Sequence, residues 1–285
     1  HARIVRPKAQ PKPLPTLLEF TIELGADEAQ ASAAHGYVGV IAYTRGRKSS
    51  RRGRIFPFQH EGEDARAVIR WITQQPWSDG RVGMYGEGYS GYAAWAAAKR
   101  RPEALKAIAT ASPMAPGINF PMMGNIHFNE AYRWAYTQAQ QQARPAGDDA
   151  EWRQRDQRWY RSGKPYRELD RRGGKSDRVF SSWLDHPSYD RFWQKAIPFR
   201  EGFAKVDIPV LTLAGYYAPD AGALYYFTEH TRYRRDANHS LLIGPYGRGA
   251  AAGAVPVLRG YPVDAAAIID LRDLRYQWFD QLFKN

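Results

Sequence analysis

A short apolar run, Arg81-Val82-Gly83-Met84-Tyr85, passes through Gly86-Glu87-Gly88-Tyr89-Ser90-Gly91 into the Ala- and Trp-rich run Tyr92 to Arg100. The first run reads as a buried strand and the last as a helix, so the glycines between them must carry a sharp strand-to-helix turn. Such a turn is one half of a parallel βαβ unit, which commits the chain to a sheet covered by helices. The residue at the tip of the turn is Gly88, which has no side chain.

The rest of the chain keeps the same rhythm in two stretches. Pro15–Thr21 reads as a strand, 27–34 as a helix, Tyr37–Tyr43 as a strand, and Glu61–Gln75 as a helix with Ala65, Val68, Ile69 and Ile72 on one face. After the Gly88 turn and its helix comes a strand at 107–111. Later, 208–214 reads as a strand, 221–230 as a helix and 240–244 as a strand. Residues 265–283 read as an amphipathic helix with Leu271, Leu274, Trp278 and Leu282 on its stripe. Strands alternating with helices of this length predict a mostly parallel sheet with right-handed crossovers. Between Pro116 and Pro198 no convincing strand is visible, and five of the nine tryptophans fall there (Trp134, Trp152, Trp159, Trp183, Trp193). That is too long for a structureless loop, so it reads as a helical cap inserted into an α/β core made of residues 1–115 and 199–285.

Composition narrows the function classes. No apolar run approaches the ~18 residues that a membrane-spanning helix needs. Absence of cysteine removes disulfides and thiolate chemistry, and leaves the compartment open. The chain starts at His1, as a trimmed or partial chain would. The net charge of +12 raises the question of nucleic acid. Arg45, Arg47, Lys48, Arg51, Arg52 and Arg54 form one basic cluster, and Arg171, Arg172, Lys175 and Arg178 another. Neither carries interleaved aromatics or a nucleic-acid motif, so both read as solvated loops, with a polyanion contact as the lesser alternative. No metal cluster or phosphate-loop spacing is present, and no cofactor is expected.

Several spaced motifs carry a resemblance. Glu61-Gly62-Glu63-Asp64, Trp71-Ile72 and Gln75-Pro76-Trp77-Ser78-Asp79-Gly80-Arg81-Val82-Gly83-Met84 precede the Gly88 turn. Thr44-Arg45-Gly46 after the second strand, His186-Pro187 with Tyr189-Asp190 and Trp193 late in the insertion, and Gly215-Tyr216-Tyr217 and Gly244-Pro245-Tyr246 after the last two strands agree as well. Together they resemble the X-prolyl dipeptidyl-peptidase/cocaine esterase (CocE/NonD) family of α/β-hydrolases over residues 12–285. The resemblance implies an α/β-hydrolase fold and a family activity of serine hydrolysis of esters, amides or X-Pro peptides. Family members continue into a C-terminal jelly-roll domain that this sequence is not expected to contain. It also implies that the family's serine falls on Gly88, its aspartate on Ala218, its histidine on Arg248, and an oxyanion-binding tyrosine on Glu23. The last histidine, His239, precedes the final strand, so no base is expected beyond it.

The expectation is therefore a protein without Ser-Asp-His whose pocket binds a small peptide, ester or acyl-type ligand, lined by Glu23, Glu87, Tyr89, Tyr217, Asp220 and Arg248. The alternative is a hydrolase with a rearranged site around Ser90, Asp220 and Glu87. Ser90 reads as a helix-start serine bonding local backbone N–H groups, pointing away from the tip, and Asp220 as a helix N-cap. His127 and Glu130 read as a surface or locally bonded pair. Arg248 is the most suggestive change, since a guanidinium binds carboxylates and is no base at neutral pH.

Overall fold

The computed structural model describes residues 1–10, 12–23, 28–47, 55–139, 149–169, 178–218, 220–247 and 253–284. The first half runs β1 (Ala2–Val5), β2 (Leu14–Thr21), α1 (Glu28–Ala34), β3 (Val38–Tyr43), α2 (Glu61–Thr73), β4 (Ser78–Glu87), α3 (Gly88–Lys99) and β5 (Leu105–Ala111). A segment follows with a small hairpin, β6 (Met122–Met123) and β7 (Ile126–His127), and four helices: α4 (Asn129–Ala139), α5 (Asp149–Arg161), α6 (Arg178–Leu184) and α7 (Arg191–Gln194). The chain then resumes with β8 (Val210–Gly215), α8 (Ala221–Tyr233), β9 (His239–Gly244), a second hairpin of β10 (Val257–Leu258) and β11 (Tyr261–Pro262), and α9 (Leu271–Phe283).

Seven strands form one sheet in the order β1-β3-β2-β4-β5-β8-β9. All neighbours are parallel except β1, which runs antiparallel to β3 at the edge. Every residue of β3 and β8 is buried, as expected of parallel strands covered on both faces. Alternation along β2 separates two cores. Leu18 packs with Met84, Ile108, Ile69 and Trp95 under α2 and α3, while Leu17 packs with Tyr85, Tyr276 and Phe279 under α9. With β4 central, its C-terminal end opens in the middle of the sheet edge, where ligands of open α/β sheets bind.

Several expectations needed correction. Nothing was anticipated before Pro15, yet β1 pairs along β3; it is short and carries exposed Arg3 and Ile4 between half-buried ends. The hairpin of β6 and β7 lies inside the segment read as strand-free. The last helix is preceded by a separate 3-10 turn, Ala265–Ala267, and starts where the Asp270 carboxylate caps the N–H groups of Arg272 and Asp273, both at 2.9 Å. Its buried face is Leu271, Arg275, Tyr276, Phe279 and Phe283. In the first basic cluster, Arg47 is 1% exposed and donates to Gln138, and Arg45 donates from Nε to Asp64 at 2.8 Å. Lys48, Arg51, Arg52 and Arg54, and Arg171, Arg172 and Lys175, lie outside the described residues. No helix among the described residues is long and apolar enough to cross a membrane.

His239 opens β9, at the end of the sheet opposite the Gly88 turn. Its Nε2 lies 2.8 Å from Thr212 Oγ1, and its Nδ1 lies 3.1 Å from His230 Nδ1. His230 Nε2 in turn lies 3.0 Å from the Val206 carbonyl. Such a chain is satisfied with both rings neutral: His230 donates to Val206, His239 donates to His230, and Thr212 donates to His239. A second proton on either ring would break a link.

Candidate functional site

β4 ends at Glu87 and α3 begins at Gly88, whose φ is +52°. That left-handed value is strained for any residue with a Cβ, and glycine adopts it freely. A Cβ built on Gly88 would meet only Met114 Cε, at 3.9 Å. The backbone is thus bent as a side-chain-bearing turn would require, with open space where the side chain would stand. Two features hold it: the Met114 N–H donates to the Gly88 carbonyl at 2.9 Å, and a Cβ at Gly86 would collide with Ser90 Cβ, so only glycine permits this approach.

Above the turn lies a cavity of about 820 Å³. Gly88, Ser90, Glu23, Glu87, Ala218 and Asp220 all line it, contributed by the ends of β2, β4 and β8 and the start of α3. Met114, Phe120, Phe128 and Trp134 form its apolar wall, and Glu130, exposed as expected, also borders it. His127 bonds the Trp183 carbonyl at 3.1 Å instead, and burial holds its pKa below the usual value.

Two residues expected in the pocket sit elsewhere. Tyr89 is 1% exposed and faces the core, where its hydroxyl donates to Glu61. Tyr217 lies in the turn after β8, which directs Ala218 and Asp220 to the cavity and leaves Tyr217 against Arg259. Arg248 lies outside the described residues.

Ser90 does not act as a local helix cap. Its hydroxyl, on a residue only 4% exposed, donates to Glu19 Oε1 at 3.0 Å. Burial pushes the Glu19 carboxyl up to about 7, against the lowering effect of the Ser90 bond. Asp220 occupies the N-cap position of α8, but its carboxylate makes no bond to that helix. Its Oδ2 instead accepts from the Gly215 N–H and, at 3.0 Å, from Ser112 Oγ. Ser112 holds a φ of +42°, an unfavourable value for serine. Burial raises the pKa of Asp220 against both bonds, and raises that of Glu23 against the pull of Arg47. Glu19 and Ser112 were missed in the sequence, since their partners lie 71 and 108 residues away.

The shifts at Glu19 and His239 have opposite consequences for stability. Burial, then His230, depress His239 to about 3. The unfolded chain therefore takes up a proton below about pH 6.5 that the folded state refuses, and stability falls with acid by about 1.4 kcal/mol per pH unit. Glu19 is raised from 4.5 to about 7, so its stabilising protonated form is lost as pH rises through that window. Between about pH 4.5 and 6.5 the two slopes offset each other. Glu19→Gln removes one of them, so denaturant titrations across this range should show stability falling more steeply with acid than in the parent. An unchanged profile would remove Glu19 from the balance.

The sequence pattern of the X-Pro dipeptidyl-peptidase (S15) family matches residues 1–247. A cocaine esterase from Rhodococcus sp. (strain MB1 Bresler) is 30% identical over 232 residues, covering 76% of this chain and 40% of the esterase. Among solved structures, an aminopeptidase from the marine sediment archaeon Thaumarchaeota archaeon superposes over 99% of this chain and 52% of its own, with a TM-score of 0.79 at 21% identity. An α-amino acid ester hydrolase gives the same values. A CocE/NonD family hydrolase from Staphylococcus aureus follows at a TM-score of 0.69 and 16% identity, with 99% and 47% of the two chains covered. These structures share the α/β-hydrolase fold, and the chain spans about half their length.

Proposed function

The chain belongs to the X-Pro dipeptidyl-peptidase (S15) family, and from that premise we propose that it is a hydrolytically inactive member that binds a small peptide, ester or acyl-type ligand. The observation that supports this reading is Gly88: the turn keeps its left-handed backbone and open tip, but carries no atom able to attack a carbonyl. The cavity keeps an apolar wall and a polar floor, a combination suited to holding an organic ligand.

One observation favours a second reading, a rearranged hydrolase. Ser90 is bonded to a carboxyl held near neutrality, and a base titrating at that pH is matched to proton transfer. Against it, Ser90 is packed over Gly86 and spends its proton on Glu19 rather than presenting its oxygen at the tip.

Burst kinetics with p-nitrophenyl esters and X-Pro anilides separate the two. No burst and no labelling by a serine-directed phosphonate are expected. Any residual rate should stay within the ~10³–10⁴-fold over water that a binding site without a triad retains. Stoichiometric acylation followed by turnover, abolished in Ser90→Ala, would overturn the inactive reading.

A further inference from the structure

The sheet has an open edge at β1. Among the described residues its one sheet neighbour is β3, and the antiparallel register sets Ala2 against Ala42 and Ile4 against Val40. In such a pair, residues that exchange both backbone bonds with the neighbour alternate with residues that exchange none. The Tyr43 N–H donates to the His1 carbonyl at 3.0 Å, which puts His1, Arg3 and Val5 in the bonding set. The N–H and C=O groups of Ala2 and Ile4 therefore point out of the sheet, toward the place of a further strand.

The same two residues border a hollow of about 430 Å³ between β1 and α2, walled by Ala2, Ile4, Tyr43, Val68 and Trp71. Ile4 is 38% exposed and Trp71 40%, so an apolar trough lies open beside unpaired backbone groups. None of its residues borders the cavity above Gly88, and the surface is independent of how that cavity is read. Edge and trough together are what a bound strand requires: backbone groups to bond, and a place for its alternate side chains.

Charge selects the occupant. The chain up to Leu18 carries Arg3, Arg6, Lys8 and Lys12 and no acidic residue. Arg3 and Arg6 are exposed, as is Arg70 beside Trp71, and none of the three has an acidic partner among the described residues. The Glu63 and Asp64 carboxylates of α2 are taken by Arg66, Arg100 and Arg45. A second copy using both outward residues would pair Ala2 with Ile4 about a two-fold axis and set Arg3 against Arg3, and like charges directly opposite disfavour a strand pair. We propose that the β1 edge receives an extended acidic peptide segment of a partner protein as an added strand, with an apolar side chain of that segment seated against Trp71.

Fluorescence anisotropy of a fluorescein-labelled peptide of sequence EVEFEVE, titrated with the folded protein at low salt, tests it, with KVKFKVK as the charge-reversed probe. The acidic peptide should bind about tenfold more tightly than the basic one, and added salt should narrow the gap. Ile4→Pro removes an outward N–H and part of the trough but no bond to β3, at the kind of edge position where a strand accepts proline. Its thermal midpoint should stay near the parent's, while the acidic peptide weakens about tenfold. Trp71→Ala, which leaves β1 whole, should weaken the same peptide and carries the test if the proline variant unfolds early. Arg3→Glu should erase much of the preference for the acidic peptide. Equal binding of the two peptides, an affinity indifferent to both Ile4→Pro and Trp71→Ala, or no binding of either probe would overturn the proposal. Dimerisation in sedimentation velocity that Ile4→Pro abolishes would give the edge to a second copy and overturn it too.

Discussion

Glu61→Ala will lower the unfolding free energy by about 3–5 kcal/mol, the range seen when one partner of a buried charged network is removed. Glu61 is 1% exposed at the start of α2. Its carboxylate accepts from the Phe58 and His60 N–H groups, both at 3.0 Å, from Tyr92 Oη at 2.8 Å, and from Tyr89 Oη. Four donors from two segments, the loop before α2 and the N-terminal part of α3, therefore converge on one side chain. Truncation strands the Tyr89 and Tyr92 hydroxyls in a buried aromatic cluster with Phe58. Each stranded donor costs about 1–3 kcal/mol, and the sum is capped by relaxation around the hole. Glu63→Ala, two residues away on the half-exposed side of α2, is the control. Its pairs with Arg66 and Arg100, at 3.5 and 3.2 Å, lie in solvent, and the change should stay within about 0.5 kcal/mol. Urea unfolding of both variants gives the comparison directly. A Glu61 loss no larger than the Glu63 loss would mean that the network does not hold the turn. Because Tyr89 follows Gly88, the same variant should also loosen the turn, seen as faster amide exchange at residues 88–92.

How much of this was legible before the structure differs by residue type. The β4–α3 turn could be read because its determinants are local: glycines between an apolar run and an alanine-rich helix. The parallel sheet followed from alternation, and the family from motifs spread along the chain. What escaped has its cause far away in sequence. Ser90 looks like a helix-start serine because nothing near it announces Glu19 on another strand. Asp220 looks like an N-cap because its position is right, while the Gly215 N–H and Ser112 compete for the same carboxylate and win. Arg47 reads as solvated among its basic neighbours, yet it is buried and bonded to Gln138. Arg275 is likewise pulled into the buried face of α9 by Glu28, which shifts that face away from the apolar stripe. The start of α9 did carry a local signal, the capping Asp270, that the longer helix reading passed over.

Restoring Gly88→Ser, Ala218→Asp and Arg248→His together should create esterase activity about 10²-fold above the parent, and each single change should create none. A triad is worth about 10⁶ in kcat as a unit, and its members are grossly non-additive, so a serine without a base or a histidine without a serine gains nothing. The geometry leaves room: a side chain on Gly88 meets only Met114 Cε at 3.9 Å, and Ala218 borders the same cavity. Asp220 cannot serve as the acid in place of residue 218, because its Oδ2 is held by the Gly215 N–H and Ser112, facing β5 and β8 rather than the space beyond β9. A serine at φ +52° stores strain of about 1–2 kcal/mol, so the thermal midpoint of the triple variant should drop modestly while the fold persists. Recovery falls short of the full 10⁶ because Glu23 also lines the cavity, and a carboxylate there opposes the negative charge that develops on the carbonyl oxygen. Burial raises the Glu23 pKa, so that opposition should ease as pH falls and grow as pH rises, the reverse of the demand for a neutral histidine base. The two requirements leave a narrow pH optimum in the triple variant. Adding Glu23→Tyr should raise the rate and broaden the optimum on the alkaline side, because the anion is gone and a hydroxyl donor stands in its place. A folded triple variant no faster than the parent on a panel of small esters would show that these three loops do not converge on Gly88.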